Sequence, residues 1–229
     1  MKRKAEKFNE NVPYQEPINL SSFSYEDLEP LLSPLIKETD IILEIECSID
    51  PILIHINNHK GELHAIDSSE TIINNLKNKH KSIQFKAMNT NNISGYQSNS
   101  FNLIIDRNAC NNILSSTTYN QKQKITYLKK LFKNIISSLN STSISYFILI
   151  YYILPDSDEF SQIYASCLLP ALSQSSDVIW SIDAHTAEAS NYDDNDTSSA
   201  NERVIIMSGD SPPTDYTSSN PRPVAVLAP

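Results

Sequence analysis

Four short apolar segments recur along the first half of this chain, three of them ending on an acidic residue. They are residues 40–46 (Asp-Ile-Ile-Leu-Glu-Ile-Glu), 63–67 (Leu-His-Ala-Ile-Asp), 83–88 (Ile-Gln-Phe-Lys-Ala-Met) and 101–106 (Phe-Asn-Leu-Ile-Ile-Asp). The first and last are nearly continuous apolar runs rather than strict alternations, which suits strands covered on both faces. Helix signals lie between them. Residues 51–59 read as a helix with Pro51 in its first turn and Gly61 as the glycine just past its end. Ser68 or Ser69 caps a second helix through about Lys79, with Ile72, Ile73 and Leu76 inward. Strands that alternate with helices pair in parallel, because a parallel connection needs a crossover element.

The flanking segments extend this frame. Ser24 reads as a helix cap with Asp27 three residues on, ahead of a Leu28, Leu31, Leu32, Leu35 stripe that Pro34 bends or ends. Residues 120–139 form the clearest helix: Ile125, Leu128, Phe132, Ile135 and Leu139 share a face, opposite Lys129, Lys130 and Lys133. Residues 144–154 read as a fifth strand stopped by Pro155, and residues 158–172 as another helix. Two more strands, 178–184 and 203–208, are joined by a polar loop holding Asp193, Asp194 and Asp196, as in an antiparallel hairpin with a long connection. The expected fold class is α/β: a Rossmann-like, seven-stranded, mostly parallel sheet with a terminal antiparallel hairpin and helices on both faces. The organisation is a polar segment 1–22, one domain 23–210, and a disordered Pro/Ser/Thr tail 211–229 that holds 5 of the 12 prolines.

Glycine narrows the chemistry. The chain has 3, against the roughly 16 that average usage of about 7% would give. Gly61, Gly95 and Gly209 are too far apart for any glycine-rich phosphate loop, so neither G-x-G-x-x-G nor G-x-x-x-x-G-K-[ST] exists. A nicotinamide-dependent oxidoreductase loses its fingerprint on the same ground. The net charge of −9 argues against nucleic acid as a partner, since phosphate binding needs a basic surface. The acidity concentrates in residues 183–229, which carry 8 acids and 2 bases. Cys47, Cys110 and Cys167 are odd in number and scattered, which reads as free thiols in a reducing compartment. There is no apolar signal segment and no apolar run of the ~20 residues that span a membrane. The expectation is a cytoplasmic protein without a membrane partner; Lys2-Arg3-Lys4 leaves nuclear entry open beside a solvated tail.

Four motifs in order carry a resemblance. They are Ser24-Tyr-Glu-Asp-Leu-Glu-Pro-Leu-Leu32, Asp40-Ile-Ile-Leu-Glu-Ile-Glu-Cys-Ser48, Ala65-Ile-Asp-Ser-Ser69 and Phe101-Asn-Leu-Ile-Ile-Asp-Arg-Asn108. Together they resemble class I S-adenosylmethionine (SAM)-dependent methyltransferases, in the methyltransferase-like subfamily that includes lysine methyltransferases of translation elongation factor 1-alpha. That subfamily carries an L-E-[LI]-G-C-G-N-S loop, an I-D-x-S turn, an M-D pair and a D-K-G-T segment. The resemblance implies SAM as cofactor and a protein as substrate or partner. It places cofactor contacts at Glu46, Cys47, Ser48, Asp67, Ser68, Met88, Asn89 and Asp106. Asp67 would accept from the ribose hydroxyls, which suits a carboxylate's two oxygens. Asn89 stands where the family has an aspartate toward adenine. Asp106 and Arg107 retain the start of D-K-G-T.

The departure is in the loop after the first strand. Glu46 and Ser48 replace both family glycines, and glycine there gives unusual φ and close backbone approach. Glu46 adds bulk and charge, which the resemblance implies would fall on the methionine portion of SAM. The family's Tyr-Trp pair near the N-terminus is also missing. Two functions follow: a SAM-dependent methyltransferase of protein lysine with a weakened cofactor site, or a catalytically inactive pseudoenzyme that binds a protein through the same fold. No catalytic base stands out. His55 and His59, spaced i, i+4 near Cys47, are surface histidines rather than zinc ligands, because H-E-x-x-H context is absent; no metal is expected. Cys110 reads as a buried thiol, and the lysine cluster as a solvated face.

Overall fold

The computed structural model describes residues 24–90, 93, 96–151, 162–173, 179–186 and 203–210. The N-terminal segment, the acidic loop and the C-terminal tail expected from the sequence lie outside the described residues. The first element is α1 (Tyr25–Leu32), and its cap forms as expected: the Ser24 hydroxyl accepts from Asp27 N while Asp27 accepts from Ser24 N. Leu28 and Leu32 are buried, and the helix ends at Leu32, two residues before Pro34.

The strands are β1 (Ile42–Ile45), β2 (Leu63–Asp67), β3 (Ile83–Ala87), β4 (Leu103–Asp106), β5 (Ser145–Tyr151), β6 (Ile179–Thr186) and β7 (Arg203–Asp210). They form one seven-stranded sheet in the order β3-β2-β1-β4-β5-β7-β6. β1 to β5 pair in parallel, and β7 inserts between β5 and β6, antiparallel to both. Central β1 and β4 are buried at every position, as strands covered on both faces must be. Edge strand β3 instead alternates, turning Gln84 and Lys86 to solvent.

Because side chains alternate along a strand, the core splits into two layers. One face carries Leu43, Ile45, Ile104, Phe147 and Leu149 under α3 (Ala109–Ser115), α4 (Gln121–Ser138) and α5 (Leu169–Leu172). The other carries Ile42, Leu103, Ile105, Ile148 and Ile150 under α1 and α2 (Glu70–Lys79). The sheet and its two-faced cover match the architecture expected from the sequence.

Three local readings change. Residues 51–59 form only a single 3-10 turn, Ile52–His55, with Pro51 as its cap residue. The run Ile52-Leu-Ile-His-Ile is rich in β-branched residues, and Asn58 adopts φ 58°, so the chain leaves helical geometry at once. Gly61 therefore caps no helix. A Cβ there would lie 2.0 Å from the Asp40 carbonyl oxygen, so glycine serves close backbone approach, and Gly61 N donates to Glu38 O. Two helices, not one, connect β4 to β5. Finally, residues 164–168 are a π-turn (Tyr164–Leu168) within the helix expected at 158–172. Pro170 follows; it has no N–H to close an α-helical bond, and a widened turn is a common response.

Candidate cofactor site

The strand order reverses between β1 and β4, and open α/β sheets bind ligands beyond the carboxyl ends of the strands at such a point. Seven of the eight candidate contacts converge on this edge. Glu46 and Ser48 follow β1, Asp67 ends β2 and Ser68 follows it, Met88 and Asn89 follow β3, and Asp106 ends β4. Cys47 is in the same loop, but its side chain is fully buried in the apolar layer beside Ile52 and Leu53. Burial and the neighbouring carboxylates push its thiol far up, so it is an inert core residue.

The loop after β1 keeps a glycine-type backbone without glycine. Glu46 has φ 54° and Ser48 has φ 58°, both in the left-handed region that L side chains rarely adopt. Four ties hold it there. Cys47 N donates to Ile66 O (3.1 Å), and Ser48 N to Asp67 Oδ2 (3.0 Å). Glu44, wholly buried on β1, accepts from Ile52 N (3.0 Å) and Leu53 N (3.2 Å), capping the 3-10 turn. Arg107 donates through Nη1 to the Asp50 carbonyl and lies 3.9 Å from Glu44 Oε1. Burial raises the Glu44 carboxyl to about 7, against the opposing pull of Arg107 and the two N–H donors.

The two aspartates at the neighbouring strand ends are both engaged by backbone. Asp67, 1% exposed, accepts from Ser69 N through Oδ1 (2.8 Å) as well as from Ser48 N. Burial raises its pKa, and those two donors oppose the rise. Asp106 accepts from Ala109 N (2.7 Å) and Cys110 N (3.2 Å), fixing the start of α3; burial carries it to about 7.

Glu46 completes the arrangement. It is 6% exposed, and its carboxyl meets the hydroxyls of Ser68 and Thr90. Burial first, then the charges of Asp67 and Asp106, push it up to about 8, so it is mostly protonated at neutral pH. The side chain therefore reaches over the ends of β2 and β3. Glu46 thus lies beside Asp67, with Asp106 acting on it from the end of β4. Thr90 was not singled out in the sequence, and no motif marks it. His55 and His59 share no helix face either. His55 stacks on Tyr25 (5.3 Å between ring centroids) and faces Asp50 at 3.5 Å, whereas His59 Nε2 meets the Asp40 carbonyl at 2.7 Å. Among the described residues no group of three His, Cys, Asp or Glu could hold a metal ion, and no helix is long and apolar enough to cross a membrane.

No family model matches the sequence, and no curated protein matches it either. Solved structures do match in three dimensions. A TehB-like SAM-dependent methyltransferase from Corynebacterium glutamicum aligns at TM-score 0.53 and 11% identity, over 79% of this chain and 86% of that one. A SAM-dependent methyltransferase from Methanosarcina mazei aligns at 0.53 and 14%, over 80% and 97%. The fold is that of SAM-dependent methyltransferases. A third structure, the geranyl diphosphate C-methyltransferase of Streptomyces coelicolor, aligns at 0.50 and 12% over 81% and 77% of the two chains; it was solved with Mg2+, geranyl diphosphate and S-adenosylhomocysteine. Identities this low establish the methyltransferase fold and leave chemistry to the residues present. Asp67 takes one backbone N–H on each carboxylate oxygen, and Glu46 packs against the turn that follows it.

Proposed function

We propose that this chain is a methyltransferase-fold protein with a weakened cofactor site, acting without catalysis at neutral pH as a protein-binding module. The observation that carries the reading is Glu46, buried against Ser68, Thr90 and Asp67 in a loop whose backbone still has the shape of the lost glycines. An arriving ribose would have to displace that side chain. A polypeptide partner is supported by the resemblance, whose methyl acceptors are proteins. It is also supported by Ile49, 71% exposed in the loop that Glu44, Asp67 and Arg107 hold in place.

A protein-lysine methyltransferase is the second reading. It is favoured by Asp67, Met88 and Asp106, which occupy the strand ends where the resemblance puts cofactor contacts. Isothermal titration with SAM and with S-adenosylhomocysteine at pH 7 separates the two. The first reading expects no binding in the micromolar range, and micromolar or tighter binding of either would sink it in favour of the second.

A further inference from the structure

We propose that Glu46 is a built-in, displaceable occupant of the ribose half of the cradle, and that a nucleoside-bearing ligand enters only as Glu46 swings out. This inference deepens the reading of a weakened cofactor site and rests on it. Three observations converge. The carboxyl of Glu46 takes two hydroxyl partners, Ser68 and Thr90, from the turns after β2 and β3, beside the carboxylate of Asp67. Its residue is held at φ 54°, a conformation that a side chain occupies only when its surroundings impose it. The turn it covers is tied to the β1 loop through a single aspartate, since Asp67 bonds both Ser48 N and Ser69 N.

The charges around Glu46 decide the direction of the coupling. Asp67 from β2 and Asp106 from β4 raise its pKa, and Glu44 and Cys47 share its strand and loop. The turn after β3 contributes the Thr90 hydroxyl. The nearby cation, Arg107, is engaged with Glu44 and the Asp50 carbonyl. Among these acids Glu46 stays in the cradle as the neutral acid. Swung into water it would ionise with an ordinary carboxylate pKa near 4.3. The proton goes to solvent, and no bond other than O–H is broken. Opening then becomes easier by up to about tenfold for each pH unit between those two values.

The test is titration with S-adenosylhomocysteine from pH 6 to pH 9, on the native protein, Glu46→Gly and Glu46→Gln. Glu46→Gly removes the occupant and should bind at least tenfold tighter than the native protein at pH 6. That advantage should shrink at least tenfold by pH 9, as the native side chain ionises and leaves. Glu46→Gln keeps the shape and cannot ionise at position 46, so its weak binding should change much less across the range than that of the native protein. It also covers the case in which the glycine variant misfolds. A glycine variant no tighter than native overturns the proposal. So does a constant ratio, including native protein that binds nothing at pH 9, or a Gln variant with the native slope. Micromolar native binding at pH 7 with the slope intact would remove the weakened-site reading and leave the occupant. Failure of Glu46→Gly alone would do the reverse.

Discussion

Ser48 is a serine in a backbone conformation that favours glycine. Its φ of 58° is a position where glycine is at ease and serine is strained, and its N–H is needed by Asp67 Oδ2. Ser48→Gly relieves that strain, worth about 1 kcal/mol in the folded state, and part of the gain is offset by the freer unfolded chain. Thermal unfolding should give a melting temperature equal to or a few degrees above that of the native protein; a drop would mean that the serine side chain is itself bonded to advantage. The absence of glycine from residues 46–50 was legible directly, and so was Asp67 as the last residue of a strand. The reach of Glu46 to Thr90 was not, because it joins two strand ends 44 positions apart in sequence and depends on a left-handed backbone that glutamate does not advertise.

Elements were readable where one face was wet and the other dry. α4 was, because lysines mark its outer face and Leu128, Phe132 and Ile135 its inner one. α3 was not. Ala109, Cys110, Asn111, Ile113 and Leu114 are all buried, so the helix carries no amphipathic rhythm to detect. The crossover from β1 to β2 was misjudged for a different reason: its glycine is spent on contact rather than on a helix end. Gly61→Ala would drive a methyl group to within 2.0 Å of the Asp40 carbonyl oxygen, a backbone atom with little freedom to retreat. Overpacking against a fixed neighbour costs about 1–3 kcal/mol or more. Urea unfolding of Gly61→Ala should show a midpoint well below native, and an unchanged midpoint would mean that the crossover shifts without cost. The β6–β7 hairpin was legible from its spacing. The insertion of β7 beside β5 was not, because register between distant strands is set by packing.

At the scale of the molecule, the carboxyl ends of the central strands gather acids that the fold holds partly against their charge. Glu44 and Asp106 are carried to about 7 and Glu46 to about 8, in each case chiefly by burial. A carboxyl whose folded pKa lies above its unfolded value leaves the native state holding more protons than the unfolded state between the two. Its stabilising contribution is therefore complete below about pH 4 and is lost as pH rises through 7 to 8. This is opposite to a carboxylate held by a cation, whose contribution fails in acid. For Glu46 alone the swing is on the order of a few kcal/mol. Chemical unfolding at intervals from pH 5 to pH 9 should show the native protein losing stability relative to Glu46→Gln, with the difference growing from pH 5 to about 8 and levelling near 9. The Gln variant retains the Glu44 and Asp106 contributions and so declines less steeply. Parallel curves for the two proteins would place the ionisation elsewhere.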